Sequence, residues 1–160
     1  FSKVYGLSGA RVGWIVASKA VMESLGPYRN YTAICCGQLG DAVASLAMKS
    51  FDKLMARNEA IVQENLAYLQ SWLDKTPAVT CDIPSAGTFV LLRYDRPMSS
   101  EELCSGLFEE TGVFIMPGSC FDMEGTLRLG IGGDPEHFKA GLAGLARYLD
   151  RTTGGQPHES

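Results

Sequence analysis

A long run of apolar residues at helical spacing lies near the middle of the chain and limits the folds open to it. The run extends from Phe51 to Lys75, and its apolar members lie three or four positions apart. This spacing puts them on one face of a helix. The pattern predicts a single helix of about 25 residues, about twice the average length in globular proteins. A helix of that length can bridge two domains.

Shorter elements are predicted before this helix. The β-branched and apolar residues 11–17 are typical of a strand. Ser18 can cap a helix that runs to about Leu25, where Gly26 and Pro27 would end it. Residues 28–37 lack a clear period and are expected to form a loop, and a helix is expected over 38–49.

The part after Pro77 alternates between strand and helix signals. Ser99 and Glu102 form a capping box for a helix that ends near Gly112. Asp134 and Pro135 open a last helix with a cap and a first-turn proline. The predicted strands are 79–83, 87–94, 113–116 and 126–131. Strands and helices are therefore mixed, which predicts an α/β fold with a polar, disordered tail from residue 152.

Charge and hydropathy exclude two classes of partner. The formal net charge is −4, and no cluster of Lys and Arg stands out, which argues against nucleic acid. The longest apolar runs, such as 89–92, are far too short to cross a bilayer. The five cysteines show neither a Cys-x-x-Cys motif nor histidines at ligand spacing, so no metal site is expected. They are interpreted as buried free thiols in a reducing compartment.

The segment Ser2–Gly13 carries the chemistry. It contains a Ser-Lys pair, a glycine-rich turn, and then Gly9-Ala10-Arg11-Val12-Gly13-Trp14. It resembles the lysine signature of the class I/II aminotransferases, which are fold-type I enzymes that use pyridoxal 5'-phosphate. The resemblance implies that Lys3 forms a Schiff base with the cofactor and moves the substrate proton. It also implies that Arg11 and Ser2 bind the cofactor phosphate, for which a guanidinium fork is well suited.

Two later blocks match the same family in order and distance. Ala86-Gly87-Thr88-Phe89 resembles a strand of the small domain. Pro117-Gly118 with Phe121, followed by Thr126-Leu127-Arg128-Leu129, resembles the family's terminal turn and its arginine-bearing strand. By this resemblance Arg128 holds the substrate α-carboxylate. The resemblance covers about residues 1–150.

Each of these residues has a plainer interpretation. Without the two later blocks, Lys3 would be interpreted as a surface lysine at the chain terminus, and the blocks favour the Schiff-base role instead. Arg11 could simply pair with a carboxylate. Arg128 is compatible with a paired arginine of the core. Tyr31, Thr32 and Gln38 lie where the family approaches the cofactor of the partner subunit, but loop packing and helix capping explain them as well.

The resemblance also implies a domain arrangement. Residues 1–50 would end the large cofactor domain, 51–75 would form the interdomain helix, 76–151 would form a small α/β domain, and 152–160 the tail. The family's remaining cofactor contacts precede its lysine. We therefore expect a complete chain more than twice as long, and a fragment of 160 residues that is inactive alone.

The expected activity is transfer of an amino group between an amino acid and a 2-oxo acid, in a cytoplasmic homodimer. Asn30–Thr32 and Thr88–Asp95 resemble capreomycidine synthase-like members, so a lyase or cyclase of an amino acid is an alternative. A non-catalytic aminotransferase-like regulatory domain is another, because the fold alone does not fix the reaction.

Overall fold

The computed structural model describes residues 1–152, which form five α-helices, four β-strands and two 3-10 turns. The helices are α1 (Lys19–Thr32), α2 (Gln38–Lys49), α3 (Phe51–Leu73), α4 (Ser100–Thr111) and α5 (Pro135–Thr152). The strands are β1 (Val79–Cys81), β2 (Phe89–Tyr94), β3 (Met116–Pro117) and β4 (Thr126–Gly130), and the turns are Ser8–Ala10 and Gly118–Phe121. The chain divides into an amino-terminal unit, Phe1–Asn58, and a carboxy-terminal unit, Glu59–Ser160.

Helix α3 confirms the prediction of one long helix, and it ends two residues earlier than the pattern suggested. The boundary between the two units lies inside this helix. Within the carboxy-terminal unit the buried residues of α3 lie on one face of the helix and are Asn65, Leu66, Leu69 and Trp72. This face belongs to the core of that unit.

The carboxy-terminal unit is built on an antiparallel sheet with strand order β1-β2-β4-β3. Alternate residues of its two central strands face the core: Val90, Leu92 and Leu127 belong to it, and the partly buried Leu129 packs against it. They lie in one cluster with leucines from α3, α4 and α5. Leu91 is opposite Arg128 in the register, and because side chains alternate along a strand, both lie on the other face of the sheet. The core and Arg128 therefore occupy opposite faces.

Two predicted helix starts are confirmed. The Ser99 side chain accepts from the Glu102 backbone N–H, and the Glu102 carboxylate accepts from the Ser99 N–H, so the capping box is complete. Asp134 accepts from the backbone N–H groups of Glu136 and His137 at the start of α5. In both helices the capping residue lies within three positions of the backbone groups that it binds, which is why the sequence alone could predict these starts.

The predicted strands are mostly shortened. β1 and β2 cover only part of the predicted ranges, and β3 is a two-residue strand that begins at Met116 rather than at Val113. Pairing sets these limits, because β3 meets β4 only at Arg128 and Leu127. The last helix reaches Thr152, where the polar tail was expected to begin, and the rest of that predicted tail, residues 153–160, lies outside the described residues.

The amino-terminal unit differs most from expectation. Residues 11–17 form no strand, because none of residues 1–58 supplies a partner ladder, and Trp14, Ile15 and Val16 are exposed. Helix α1 continues through Gly26 and Pro27 to Thr32, so the expected end at Leu25 and the loop over 28–32 were wrong. A proline removes one intrahelical hydrogen bond but keeps a helical φ, and this helix tolerates it.

Three further findings bear on function. Within residues 1–152, no helix is long and apolar enough to span a membrane. In the same range no group of three or more His, Cys, Asp or Glu side chains is arranged to hold a metal ion. All five cysteines are free, but Cys35, Cys36 and Cys120 are exposed, so the expectation that they are buried was wrong for these three.

Candidate functional site

The segment that contains Ser2 and Lys3 is a tight turn at the start of the amino-terminal unit. The Gly6 N–H donates to the Lys3 carbonyl at 3.0 Å, and Gly6 has a φ of +65°, which favours glycine. The Phe1 nitrogen donates to the Val12 carbonyl at 3.0 Å. This bond brings the stretch with Ser2 and Lys3 alongside the stretch with Arg11. The structure thus groups three of the predicted site residues in one small region.

Neighbouring residues hold this turn in place. Tyr5 is only 7% exposed, its ring centroid lies 4.6 Å from that of Phe1, and its hydroxyl donates to the Met48 sulfur at 3.4 Å. The Asn58 amide donates to the Val4 carbonyl at 2.8 Å. Val4 and Tyr5 follow Lys3 directly, so the backbone beside the lysine is fixed while its side chain remains exposed.

Arg11 ends the Ser8–Ala10 turn in a left-handed conformation, with φ of 53°. Its guanidinium is exposed and donates through Nη1 to the Ser8 carbonyl at 3.0 Å. Helix α2 supports this turn at Gly40, where a Cβ would collide with the Ala10 carbonyl. Glycine is therefore needed there for the close approach of the helix.

The charges at this site are free to act on a ligand. Among residues 1–152, neither Lys3 nor Arg11 has a carboxylate within ion-pair distance, and Ser2 is partly exposed. An exposed amine and an exposed guanidinium on neighbouring stretches of backbone can serve a ligand that carries both an aldehyde and a phosphate.

Arg128 lies on β4 in the carboxy-terminal unit, where it is partly buried. Its guanidinium carbon is 4.2 Å from the ring centroid of Phe89 and 5.1 Å from that of Phe121. It makes no ion pair with a carboxylate in the described part of the chain, so its plainer interpretation as a paired arginine finds no partner there. A guanidinium held by aromatic rings and lacking a counter-ion can bind a carboxylate in a bidentate manner.

The turn that carries Phe121 is fixed by Glu124. This carboxylate accepts from the backbone N–H groups of Ser100 and Gly125 at 2.6 and 3.0 Å, and from the Tyr94 hydroxyl at 3.3 Å. The bonds from the Gly125 and Ser100 N–H groups lower the pKa of Glu124. Burial, reinforced by Glu124, raises the pKa of Tyr94 to about 12, so this phenol stays neutral and donates.

The same turn requires Gly118. A Cβ at this position would collide with the carbonyls of Met123 and Thr126 and with the Thr126 hydroxyl. Ser119 also donates its N–H to the Ser100 hydroxyl at 3.1 Å, which joins the turn to the first residue of α4. Both contacts set the path of the chain toward Phe121.

Asn65 fixes the chain just beyond β4. Its side chain is fully buried, and Nδ2 donates to the carbonyls of Ile131 and Gly133 at 3.0 and 2.9 Å. This amide therefore holds the end of the strand that bears Arg128. Of the three remaining candidates, Tyr31 is exposed, the Thr32 hydroxyl donates to the Tyr28 carbonyl, and Gln38 begins α2. Their approach to the cofactor of a partner subunit stays a prediction.

Sequence reasoning assigned no role to Phe89, Phe121, Asn65 or Glu124. Phe89 and Phe121 belong to the quoted motifs, but their contact with Arg128 depends on the register of β2 and β4 and on the path of the turn. Asn65 was a weak signal, since it is a polar residue between the apolar positions Val62 and Leu66 of the predicted helix.

Comparison with known proteins gives a consistent family match. Residues 1–145 match the family described as aminotransferase class I and II. Capreomycidine synthase of Streptomyces vinaceus is 28% identical over 149 residues, which covers 92% of this chain and 38% of that protein.

Two solved structures are similar in sequence and in backbone. A PLP-dependent aminotransferase from Streptococcus suis has 35% identity and a TM-score of 0.91, over 97% of this chain and 41% of that one. The PLP-dependent cyclase OrfR has 34% identity and a TM-score of 0.86, over 94% of this chain and 41% of that one. The chain thus spans about two fifths of the length of the proteins it matches.

Proposed function

Because this chain belongs to the aminotransferase class I and II family, we propose that it supplies the cofactor lysine and the carboxylate-binding arginine of a pyridoxal-phosphate-dependent aminotransferase. The complete enzyme moves an amino group between an amino acid and a 2-oxo acid. The proposal also includes a cytoplasmic location and a homodimeric state, and both rest on the family resemblance. It also extends to the domain division at residues 50, 75 and 151.

Within this proposal each residue has a defined task. Lys3 binds the cofactor aldehyde covalently through Nζ, while Arg11 and Ser2 bind the phosphate. When bound, pyridoxal phosphate supplies an electron-withdrawing ring that makes the α-proton of an amino acid removable. Nζ of Lys3 would accept that proton. Arg128 holds the α-carboxylate and so fixes which bond to the α-carbon is presented.

One observation supports this assignment most strongly. Lys3 and Arg11 lie on adjoining stretches of a fixed turn, and both are exposed and without a carboxylate partner in the described residues. An exposed amine and an exposed guanidinium without a protein counter-ion remain available to a carbonyl group and to a phosphate of a ligand. The donor set therefore fits the cofactor.

The test is to locate the cofactor in the complete protein. Borohydride reduction followed by peptide mass spectrometry should place a pyridoxyl group on Lys3. Lys3→Ala should abolish both the tag and the yellow colour, whereas Lys19→Ala, another exposed lysine of the same unit, should retain them. A tag on any other lysine would overturn the assignment.

A second candidate function is supported by the similarity to the cyclase OrfR. In that case Lys3, Arg11 and Arg128 keep their tasks, but the enzyme acts as a lyase or a cyclase of an amino acid and transfers no amino group. Incubation with amino acids, with and without a 2-oxo acid, separates the two. A product that forms only when the oxo acid is present supports transfer, and a product that forms without it supports the second candidate.

A further inference from the structure

The surroundings of Arg128 contain a feature that the proposed function does not use. Two phenyl rings from different elements face the guanidinium, one from β2 and one from the turn after β3. Both rings are also open to solvent, since Phe89 is 46% and Phe121 41% exposed. Exposed phenylalanines that contact the same cation call for a physical explanation.

The sheet register explains how Phe89 reaches the arginine. Phe89 is opposite Gly130, and Leu91 is opposite Arg128, so Phe89 and Arg128 are diagonal neighbours on one face. Gly130 has no side chain, which leaves the space between them open. The arginine can therefore lie over the phenyl ring.

Phe121 reaches the same guanidinium by an independent route. The turn Gly118–Phe121 is held to α4 by the Ser119–Ser100 bond and closed by the Met123 N–H, which donates to the Gly118 carbonyl at 3.0 Å. The ring thus has a fixed support that does not depend on β2. Two separately anchored rings restrict the guanidinium more than one would.

We propose that Phe89 and Phe121 are positioning residues that hold the guanidinium of Arg128 in the orientation that accepts the substrate α-carboxylate. This inference rests on the proposed function of Arg128. Aromatic rings attract the cation without using its N–H donors, so all of these donors stay available to a carboxylate. A carboxylate side chain in the same place would hold the arginine equally well but would compete with the substrate.

The experiment compares two substrates on the complete cofactor-loaded enzyme: the best amino donor from a panel of L-amino acids, and the amine that lacks its carboxylate. Phe89→Leu should raise KM for the amino acid about three- to tenfold with little change in kcat. The constants for the amine should not change. Phe89→Tyr, which keeps an aromatic face, should restore the KM of the amino acid.

Binding and folding controls complete the design. The dissociation constant for the amino acid is measured by calorimetry in the Lys3→Ala variant. Adding Phe89→Leu should raise this constant by the same factor as it raises KM. Phe121→Leu should give a smaller effect, because its ring is farther from the guanidinium. Phe114→Leu removes an exposed ring elsewhere in the unit and should change none of these values.

The outcomes separate the two proposals. If Arg128→Ala leaves the preference for the amino acid over the amine unchanged, the carboxylate role of Arg128 is wrong and the positioning role falls with it. If Arg128→Ala removes that preference but Phe89→Leu and Phe121→Leu do not alter it, only the positioning role is overturned. An equal loss for both substrates would show a merely structural effect and would also overturn it.

Discussion

Asn65 is the buried polar residue on which the end of β4 depends. Its amide donates to two carbonyls, those of Ile131 and Gly133, and both would lose a buried partner if it were removed. We expect Asn65→Ala to lower the free energy of unfolding by about 2–4 kcal/mol, because an unpaired buried polar group costs about 1–3 kcal/mol. Urea denaturation measures this change.

The matched control for Asn65 is Gln70 on the exposed side of the same helix. Its amide bonds to the Asp74 carboxylate one turn on, in solvent. Gln70→Ala should change the free energy of unfolding by about 0.5 kcal/mol or less. A similar small value for Asn65→Ala would show that the two carbonyls find other partners.

The lowered pKa of Glu124 predicts how the free energy of unfolding depends on pH. Donors from Gly125 and Ser100 lower its pKa in the folded protein, so its contribution is fully present above the ordinary pKa of 4.5 and is lost as pH falls through the lowered value. Stability should therefore decline in acid below about pH 4.5. Glu124→Gln should flatten this part of the profile, measured as the urea midpoint against pH.

A neighbouring carboxylate tests whether this effect is specific. The Asp122 side chain lies in the same turn and makes no hydrogen bond within residues 1–152. Asp122→Asn should leave the slope of the acid limb unchanged. If both substitutions flatten the limb equally, general charge repulsion rather than the Glu124 bonds explains it.

At the scale of single elements, α4 depends on its cap. Ser99 and Glu102 exchange two hydrogen bonds and satisfy backbone groups at the helix start. Ser99→Ala should destabilise the protein by about 1 kcal/mol, the usual cost of losing such a cap. Thermal unfolding measures this, and Ser71→Ala is the control, because the Ser71 hydroxyl donates to the Tyr68 carbonyl within α3 and makes no other hydrogen bond in residues 1–152. Equal shifts for both serines would contradict the prediction.

The elements that the sequence predicted well are those with local signals. The capping box of α4, the Asp134 cap of α5 and the period of α3 each depend on residues within a few positions of one another. The strand predicted over 11–17 failed because a strand also needs a partner, and none lies in residues 1–58. Pro27 failed as a helix end because a proline disfavours a helix without forbidding it.

The candidate site divides in the same way. Lys3, Arg11 and Arg128 were named through the resemblance of short motifs to a known family, and their roles stay proposals. Phe89 and Phe121 acquire a role only through strand register and turn geometry, which join residues far apart in the chain. Motif resemblance can therefore propose the charged groups, but the fold is needed to propose which side chains orient them.

At the scale of the whole molecule, the two units differ in how much apolar surface they bury. The carboxy-terminal unit has a continuous core that includes Leu69, Leu92, Leu127, Leu142 and Leu145, each at most 1% exposed. The amino-terminal unit buries only Tyr5, Ala44 and Ala47 among its apolar residues. Folding must offset the loss of about 1–2 kcal/mol of backbone entropy per residue. The burial of one tyrosine and two alanines cannot offset this loss over a unit that spans residues 1–58.

Separate expression of the two parts tests this contrast. A fragment from Phe51 to Thr152 should unfold in one cooperative urea transition, whereas a fragment from Phe1 to Asn58 should show none. Leu69→Ala should lower the midpoint of the first fragment by an amount that corresponds to about 3–5 kcal/mol, because Leu69 is fully buried. Leu46→Ala, at an exposed position of α2, should leave the circular dichroism of the second fragment unchanged. A cooperative transition in the second fragment would contradict the prediction. It would mean that the apolar residues of the amino-terminal unit pack into a core of their own, and the exposure of so many of them would then need another explanation.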